Sequence, residues 1–162
     1  MDNIAYQISQ LLLVPVLIGV YAAFAYSLFE VGRLLALSWL RRKTALSINS
    51  GKGYPIMRYF LSHSERTFHE MEVFALQSLE TVRIVTRITP MLGLIATLIP
   101  MGPALIALQE NNAYEMSNHL SVAFTAVTIS LAAASLTFWV ASVKKRWFAE
   151  ELVYIEKQLG EQ

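Results

Sequence analysis

Three long stretches of this sequence contain no charged residue, and they constrain the fold more than any other feature. They run from Asn3 to Phe29, from Ile88 to Leu108 and from Leu120 to Val143. A helix that crosses a bilayer needs about 20 mostly apolar residues. None of the three stretches has a charged face at the helical period. The sequence therefore predicts three membrane-spanning helices, at about residues 8–29, 88–108 and 120–143.

The first stretch differs from a cleaved signal peptide, which begins with a basic region and has a short apolar core. Residues 1–10 contain Asp2 but no Lys or Arg, and the apolar body extends from Leu11 to Phe29. We therefore interpret this stretch as an uncleaved membrane helix.

All basic residues fall on two segments of the chain. Segment 30–87 contains nine of the 13 Lys and Arg residues, and the tail 144–162 contains the other four. Lys and Arg resist translocation and mark the cytoplasmic side of a membrane protein. We therefore expect the N-terminus and the loop 109–119 to lie outside, and segment 30–87 and the tail to be cytoplasmic.

The predicted cytoplasmic segments are helical apart from one break. Residues 44–55 include Gly51, Gly53 and Pro55, which indicate a loop. From about Ile56 to Arg87 a helical pattern returns and continues into the second span. Its mostly apolar stripe consists of Phe60, Ser64, Phe68, Met71, Ala75, Leu79, Val82 and Thr86. This period is close to 3.6 residues and predicts one packed face.

The tail keeps the same spacing at Phe148, Leu152, Ile155 and Leu159. We therefore predict an all-α integral membrane protein with three transmembrane helices, a single domain over residues 1–162. Its second and third spans extend into a cytoplasmic helical bundle.

Composition excludes two function classes. Only 15% of the residues are charged and the net charge is +1, whereas a nucleic-acid binder needs a basic excess. The chain contains no cysteine, so it has neither a thiolate metal site nor a cysteine nucleophile. Five residues that could bind a metal lie close together in the sequence: His63, Glu65, His69, Glu70 and Glu72. Glu65 and His69 are four positions apart on a helix, and a metal bound by this pair would need a third ligand in a dry setting. We therefore expect no enzyme, metal site or cofactor.

The second span has an unusual content of residues that shape a helix. These are Pro90, Gly93, Pro100, Gly102 and Pro103. Proline leaves carbonyl groups without their usual donors, which is tolerated in a membrane only inside an assembly. Small residues also let a neighbouring helix approach closely. This predicts a helix within an assembly, and the alternative is a kinked packing helix without further function.

The third span carries a polar stripe of small residues at spacings of three and four. Its members are Ser121, Thr125, Thr128, Ala132 and Ser135. The stripe suits a wet cavity, and it equally suits hydrogen bonds between helices. No Asp, Glu, Lys, Arg or His lies deep in any of the three spans, although an ion pathway usually needs such a group. Either the chain does not conduct, or a partner supplies a carboxylate.

Two motifs resemble the MotA/TolQ/ExbB proton channel family. Thr-Pro-Met-Leu-Gly-Leu-Ile-Ala-Thr-Leu-Ile-Pro-Met, residues 89–101, is similar to that family's second-helix pattern, Ala-Pro-Leu-Leu-Gly-Leu-Leu-Gly-Thr-Val-x-Gly-Met. Ala-Phe-Thr-Ala-Val-Thr-Ile-Ser-Leu, residues 123–131, resembles its third-helix pattern, Ala-Leu-x-x-Thr-x-x-Gly-Leu. The resemblance covers about residues 60–150.

The resemblance implies a ring, commonly of five copies, around two copies of a single-span partner such as ExbD, TolR or MotB. The partner's membrane aspartate lies against hydroxyl groups of the ring. Flow of H⁺, or alternatively of Na⁺, down its gradient then turns the ring and the partner relative to each other and drives mechanical work outside the membrane. The membrane is the inner (cytoplasmic) membrane of the cell. The alternative function is a non-conducting scaffold subunit of a membrane complex.

The family's residues transfer position by position. Thr97 falls on the second-helix threonine, and Ala96 replaces the glycine before it. On an ungapped match the third-helix threonine falls on Val127, with Ser130 in place of the glycine. The resemblance therefore implies an ion path lined by Thr97 and by Thr128 or Thr125, with Ser121 and Ser135 on the same stripe. A glutamate that some members carry near the outer start of the third helix is absent here.

Overall fold

Four helices make up the structure, a computed structural model that describes residues 2–43, 53–62 and 68–160. They are α1 (Asp2–Lys43), α2 (Pro55–Ser62), α3 (Phe68–Gln109) and α4 (Ala113–Gly160). Helix accounts for 96% of the described residues, which contain no strand. The predicted all-α fold is confirmed.

Three of these helices are long and apolar enough to cross a membrane. The qualifying segments are Leu11–Arg42 in α1, His69–Gln109 in α3 and Ala113–Lys157 in α4. Each exceeds the roughly 20 residues that a bilayer requires. The helices of the second and third spans, α3 and α4, therefore continue well beyond their charge-free stretches, as the sequence predicts.

The helices contribute to two compact units. The first unit combines the chain up to Leu28 with Val85–Leu136, and the second combines Phe29–Ile84 with Thr137–Gln162. The charge-free stretches fall mostly in the first unit, and the basic segments fall mostly in the second.

The first unit is held by small side chains, while many of its large apolar side chains face outwards. Val16 of α1, Ala96 of α3 and Ala126 of α4 form its buried cluster. Leu11 is 77% exposed and Phe124 is 64% exposed. Exposed apolar surface on this scale indicates contact with lipid or with other protein chains.

A tight turn joins α3 to α4. Asn111 has a φ of 56°, a left-handed conformation that Asn adopts more readily than most residues. The side-chain oxygen of Asn112 accepts a hydrogen bond from the Glu115 backbone N–H at 3.2 Å and so caps α4. Because α4 begins at Ala113, most of the segment 109–119 is helical.

The second unit has two hydrophobic clusters. The larger one joins α2, α3 and α4, and its buried members are Tyr54, Ile56, Met57, Met71, Ala75, Leu79, Phe148 and Ile155. The smaller one joins α1, α3 and α4 through Leu34, Val82 and Val140. The predicted stripe is therefore confirmed between Met71 and Val82, and the tail stripe is confirmed at Phe148 and Ile155.

The prediction of one continuous helix from Ile56 to Arg87 is wrong. Tyr59 of α2 and Phe74 of α3 stack at 4.2 Å between ring centroids. In one straight helix, residues 15 positions apart would be separated by about 22 Å. α2 and α3 are therefore two helices that pack against each other, and Ile56 and Met57 of α2 are buried in the larger cluster. Ser64 lies outside the described residues, as does most of the predicted loop 44–55, and Pro55 begins α2.

Candidate ion-conducting face and its supports

The hydroxyl stripe of α4 lies on the helix face turned away from the first unit's core. Its members Ser121, Thr125, Thr128, Ala132 and Ser135 are all exposed. Ala123, Ala126, Ser130 and Ala133, on the opposite side of the helix, are buried. Within the described chain, the stripe is therefore not the surface by which α4 packs on its own helices.

Three hydroxyl groups of the stripe, those of Thr125, Thr128 and Ser135, donate hydrogen bonds within α4. Thr125 donates to the Ser121 carbonyl, and Thr128 donates to the Phe124 carbonyl, both at 2.8 Å. Ser135 donates to the Leu131 carbonyl at 2.8 Å. A hydroxyl has one proton and two lone pairs. Because the proton is engaged with the helix backbone, these oxygens present lone pairs to the exposed side.

Thr97 on α3 follows the same pattern. Its hydroxyl donates to the Leu94 carbonyl at 2.7 Å, and its side chain is half-buried. Ala96, the preceding residue, is fully buried against Val16 and Ala126. The methyl group that replaces the family's second glycine therefore fills the core beside Thr97.

At Gly93, α3 and α4 approach each other closely. A Cβ at this position would lie 1.8 Å from the Ser130 Oγ and 2.7 Å from the Ser130 Cβ. It would also lie 3.6 Å from the Val127 Cα. Val127, the position of the family's third-helix threonine on an ungapped match, therefore lies beside α3, whereas Thr125 and Thr128 are exposed.

The other predicted helix-shaping residues differ in their surroundings. Pro90, Pro100 and Pro103 all lie inside the continuous helix α3. Pro100 and Pro103 are buried, and Pro90 is half-buried. Gly102 has open space where its Cβ would be. Gly93 thus permits a close contact between α3 and α4, whereas no neighbouring helix of the described chain comes within 4 Å of a Cβ placed at Gly102.

In the second unit, Glu30 joins α1 to α4. Its carboxylate accepts a hydrogen bond from Arg33 at 2.9 Å, as expected from their spacing on the helix, and another from Lys144 of α4. Glu30 is 2% exposed and Lys144 is 6% exposed. Reasoning from sequence missed Lys144, because 114 positions separate it from Glu30.

A second buried carboxylate, Glu151, connects α4 to two other elements. It is fully buried, forms an ion pair with Arg41 of α1, and accepts hydrogen bonds from the backbone N–H groups of Ile56 at 2.9 Å and Met57 at 3.3 Å. A carboxylate at the first turn of a helix accepts hydrogen bonds from unpaired N–H groups and interacts favourably with the helix dipole. Glu151 of α4 therefore caps α2 and, through Arg41, also holds α1.

Arg41 is fixed on several sides. Its guanidinium carbon lies 4.5 Å from the Tyr54 ring centroid and 4.4 Å from that of Trp147. Its Nε donates to the Gly53 carbonyl at 2.9 Å, in a turn where Gly53 has a φ of 89°. Only glycine adopts such a φ at little cost. The sequence signal for this site is that Glu151 shares a helix face with Phe148 and Ile155.

The acidic and histidine cluster shows no metal geometry among the described residues. His69 lies 3.6 Å from Glu72, and both side chains are exposed. Glu70 is also exposed. His63 and Glu65 lie outside the described residues.

The fold and the exposed apolar surface define a multi-pass, all-α membrane protein. A sequence model of the MotA/TolQ/ExbB proton channel family matches residues 51–157. The match covers more than half of the chain, which therefore belongs to the MotA/TolQ/ExbB proton channel family. Comparisons with curated proteins and with solved structures gave no significant match.

Membership identifies the chain as a proton-channel-related membrane subunit. It also implies a membrane-embedded oligomeric complex that includes a partner. The family is of the channel and transport type rather than enzymatic.

Proposed function

We propose that this protein is a ring-forming subunit of a proton-driven membrane motor, and that it works with a single-span partner carrying a membrane aspartate. By family resemblance the ring contains five copies around two partner chains. The single observation that carries the proposal is the exposed hydroxyl stripe of α4, whose oxygens present lone pairs away from the chain's own core.

The direction of these hydroxyl groups suits a protonated carboxylic acid. A protonated carboxyl donates one hydrogen bond, and an ionised carboxylate only accepts. Thr125 and Thr128 have engaged their protons with the helix backbone, so they offer acceptors to a neutral acid and no donor to its anion. The stripe therefore favours a partner carboxyl that has bound H⁺. Lone pairs also coordinate Na⁺, which is the other candidate ion.

The three charge-free stretches contain no Asp, Glu, Lys, Arg or His, which fits a complex in which the partner supplies the carboxyl group. Moving an ion through a low-dielectric region needs a group that can carry it. The ring contributes Thr97 and the α4 stripe as a neutral polar surface, and the partner contributes the group that titrates. Pro100 and Gly102 shape α3 beside this path.

The proposed orientation follows the basic residues. The N-terminus and the short turn after α3 lie outside the inner membrane. Segment 30–87 and the tail 144–162 lie in the cytoplasm, because they contain all 13 Lys and Arg residues. The whole chain forms one three-span domain in this arrangement.

The test is ion flux through the assembled complex in proteoliposomes. The tagged full-length chain is purified from native membranes, its co-purifying single-span proteins are identified, and the complex is reconstituted with a pH-sensitive dye inside. We expect Thr128→Val and Thr97→Val to reduce proton flux at least tenfold while the complex still assembles. Thr81→Val is the matched control, because Thr81 is exposed on α3 outside the charge-free stretch.

Two results would contradict the proposal. A chain that purifies as a homogeneous monomer without a partner would exclude a ring subunit. A complex that assembles but conducts no protons with wild-type sequence would favour the non-conducting scaffold. Normal flux in both threonine variants would remove Thr97 and Thr128 from the path.

A further inference from the structure

A charged cluster in the second unit contains two cations for one carboxylate. Glu30 accepts a hydrogen bond from Arg33 on one oxygen and from Lys144 on the other. The cluster therefore has a net charge of +1. Both carboxylate oxygens are engaged, so the surplus positive charge is available to an anionic ligand at the surface.

The two cations differ in accessibility. The side chain of Lys144 is 7% exposed, whereas that of Arg33 is 55% exposed. Arg33 donates through Nη1 to Glu30, its one partner within the described part of the chain. The guanidinium has five N–H donors in a planar fork. Its other donors are consequently available to a ligand at the surface.

The position of the cluster favours a lipid as the source of that anion. Glu30 and Lys144 are the first charged residues after the charge-free stretches that end at Phe29 and Val143. The cluster thus lies at the depth where a spanning helix leaves the hydrocarbon layer. Phe29 lies one helical turn before Arg33 on the same side of α1 and is 64% exposed. It offers an apolar surface to an acyl chain next to a cation.

We propose that Arg33, held in place by Glu30, binds the phosphate group of an anionic phospholipid. Arginine recognises phosphate oxygens in a bidentate manner, with charge-assisted hydrogen bonds. The buried Lys144 adds positive potential behind the site without occupying it. This site is separate from the hydroxyl stripe, and its function does not depend on ion conduction.

The experiment measures lipid binding to the purified full-length protein by native mass spectrometry. Dioleoylphosphatidylglycerol, dioleoylphosphatidylcholine and soluble glycerol phosphate are added separately to the protein in a neutral detergent. We expect phosphatidylglycerol to bind at least fivefold more tightly than phosphatidylcholine. Arg33→Gln should weaken phosphatidylglycerol binding about fivefold, the effect of one basic residue at an anionic membrane surface. Arg33→Lys should lie between the two, because it keeps the charge and loses the fork.

Arg42→Gln is the matched control, since Arg42 is an exposed arginine on the same helix. Unchanged lipid binding in Arg42→Gln supports a defined site. Equal losses in the Arg33 and Arg42 variants, or no loss in Arg33→Gln, would overturn the proposal. Glycerol phosphate that binds as tightly as the lipid would also overturn it, in favour of a free-phosphate site. None of these results depends on proton flux, so they leave the proposed channel function to its own test.

Discussion

Gly93 and Ser130 meet at the crossing of α3 and α4 with no room for a side chain on the glycine. A Cβ at position 93 would lie 2.7 Å from the Ser130 Cβ, closer than rotation of the hydroxyl could relieve. In the family motif, position 130 is a glycine. The serine fills space that a glycine would leave open, so the contact leaves no room for a larger residue at position 93.

The first prediction is that Gly93→Ala destabilises the first unit. Overpacking a close contact typically costs about 1–3 kcal/mol. The loss should appear as a lower unfolding temperature in detergent, measured by circular dichroism. Adding Ser130→Gly removes both opposing atoms, so the double variant should recover part of the loss.

Gly102→Ala is the control for this prediction. Its Cβ would meet open space, and alanine has a higher helix propensity than glycine by about 1 kcal/mol. Stability should be unchanged or higher. If Gly93→Ala and Gly102→Ala have the same unfolding temperature, the close contact is not present in the protein.

A second prediction concerns Glu151. Glu151→Gln should destabilise the protein by about 3–5 kcal/mol, because it leaves Arg41 as an uncompensated buried charge. Urea denaturation followed by tryptophan fluorescence is a suitable measurement, since Trp147 lies against Arg41. Glu156→Gln is the matched control, because Glu156 is an exposed carboxylate on the same helix. Substitutions at such surface positions usually change stability by at most about 0.5 kcal/mol.

Comparable losses in the two glutamine variants would contradict the buried network around Glu151. Arg41→Ala gives an independent check, because it removes the same ion pair from the other side. It should weaken the second unit as well, through the lost contacts with Tyr54 and Trp147.

A third prediction is an asymmetry between Glu30 and Lys144. Glu30→Gln leaves Lys144 and Arg33 facing each other without a counter-ion, whereas Lys144→Gln leaves Glu30 paired with Arg33. Glu30→Gln should therefore reduce the free energy of unfolding more than Lys144→Gln does. Thermal unfolding of both variants in the same detergent measures the difference. A larger loss in Lys144→Gln would mean that Arg33 does not compensate the carboxylate.

A fourth prediction tests the proposed orientation, and the absence of cysteine makes it simple. Ser117 on α4 and Ser78 on α3 are both exposed. In intact cells, a membrane-impermeant maleimide should label Ser117→Cys and should leave Ser78→Cys unlabelled until the inner membrane is permeabilised. Labelling of Ser78→Cys but not of Ser117→Cys in intact cells would contradict the proposed topology and indicate the opposite one.

The spans and the family could be predicted from sequence because their signals are local. A charge-free stretch such as 120–143 and a motif such as 89–101 are each read within about 25 residues. The buried stripe from Met71 to Val82 was also predictable, since its period lies on one helix. The outward direction of the hydroxyl stripe fits its polarity, although the sequence equally allowed packing between helices.

The packing of α2 on α3 and the contacts of Glu151 could not be predicted in this way. Helical periodicity does not reveal that Tyr59 stacks on Phe74, because the apolar spacing is the same in one long helix and in two packed helices. The Arg41–Glu151 pair joins residues 110 positions apart. Charge–charge pairing at that separation depends on the packing of three elements, and no single segment encodes it.

The two buried ion pairs also determine when, during synthesis, α1 can form its charged contacts with α4. α1 supplies the acid of Glu30–Lys144 and the base of Arg41–Glu151, so these two pairs between helices form only after α4, made more than 100 residues later. Until then Glu30 has Arg33 of its own helix as a partner, whereas Arg41 lacks its carboxylate. Domains assemble as the chain emerges, and unpaired buried charges are strongly destabilising. A chain that ends before Lys144 would retain three apolar spans but would leave Arg41 of α1 without its ion-pair partner. Cellular quality control could then recognise a truncated chain by this unpaired charge on α1, far from the point of truncation.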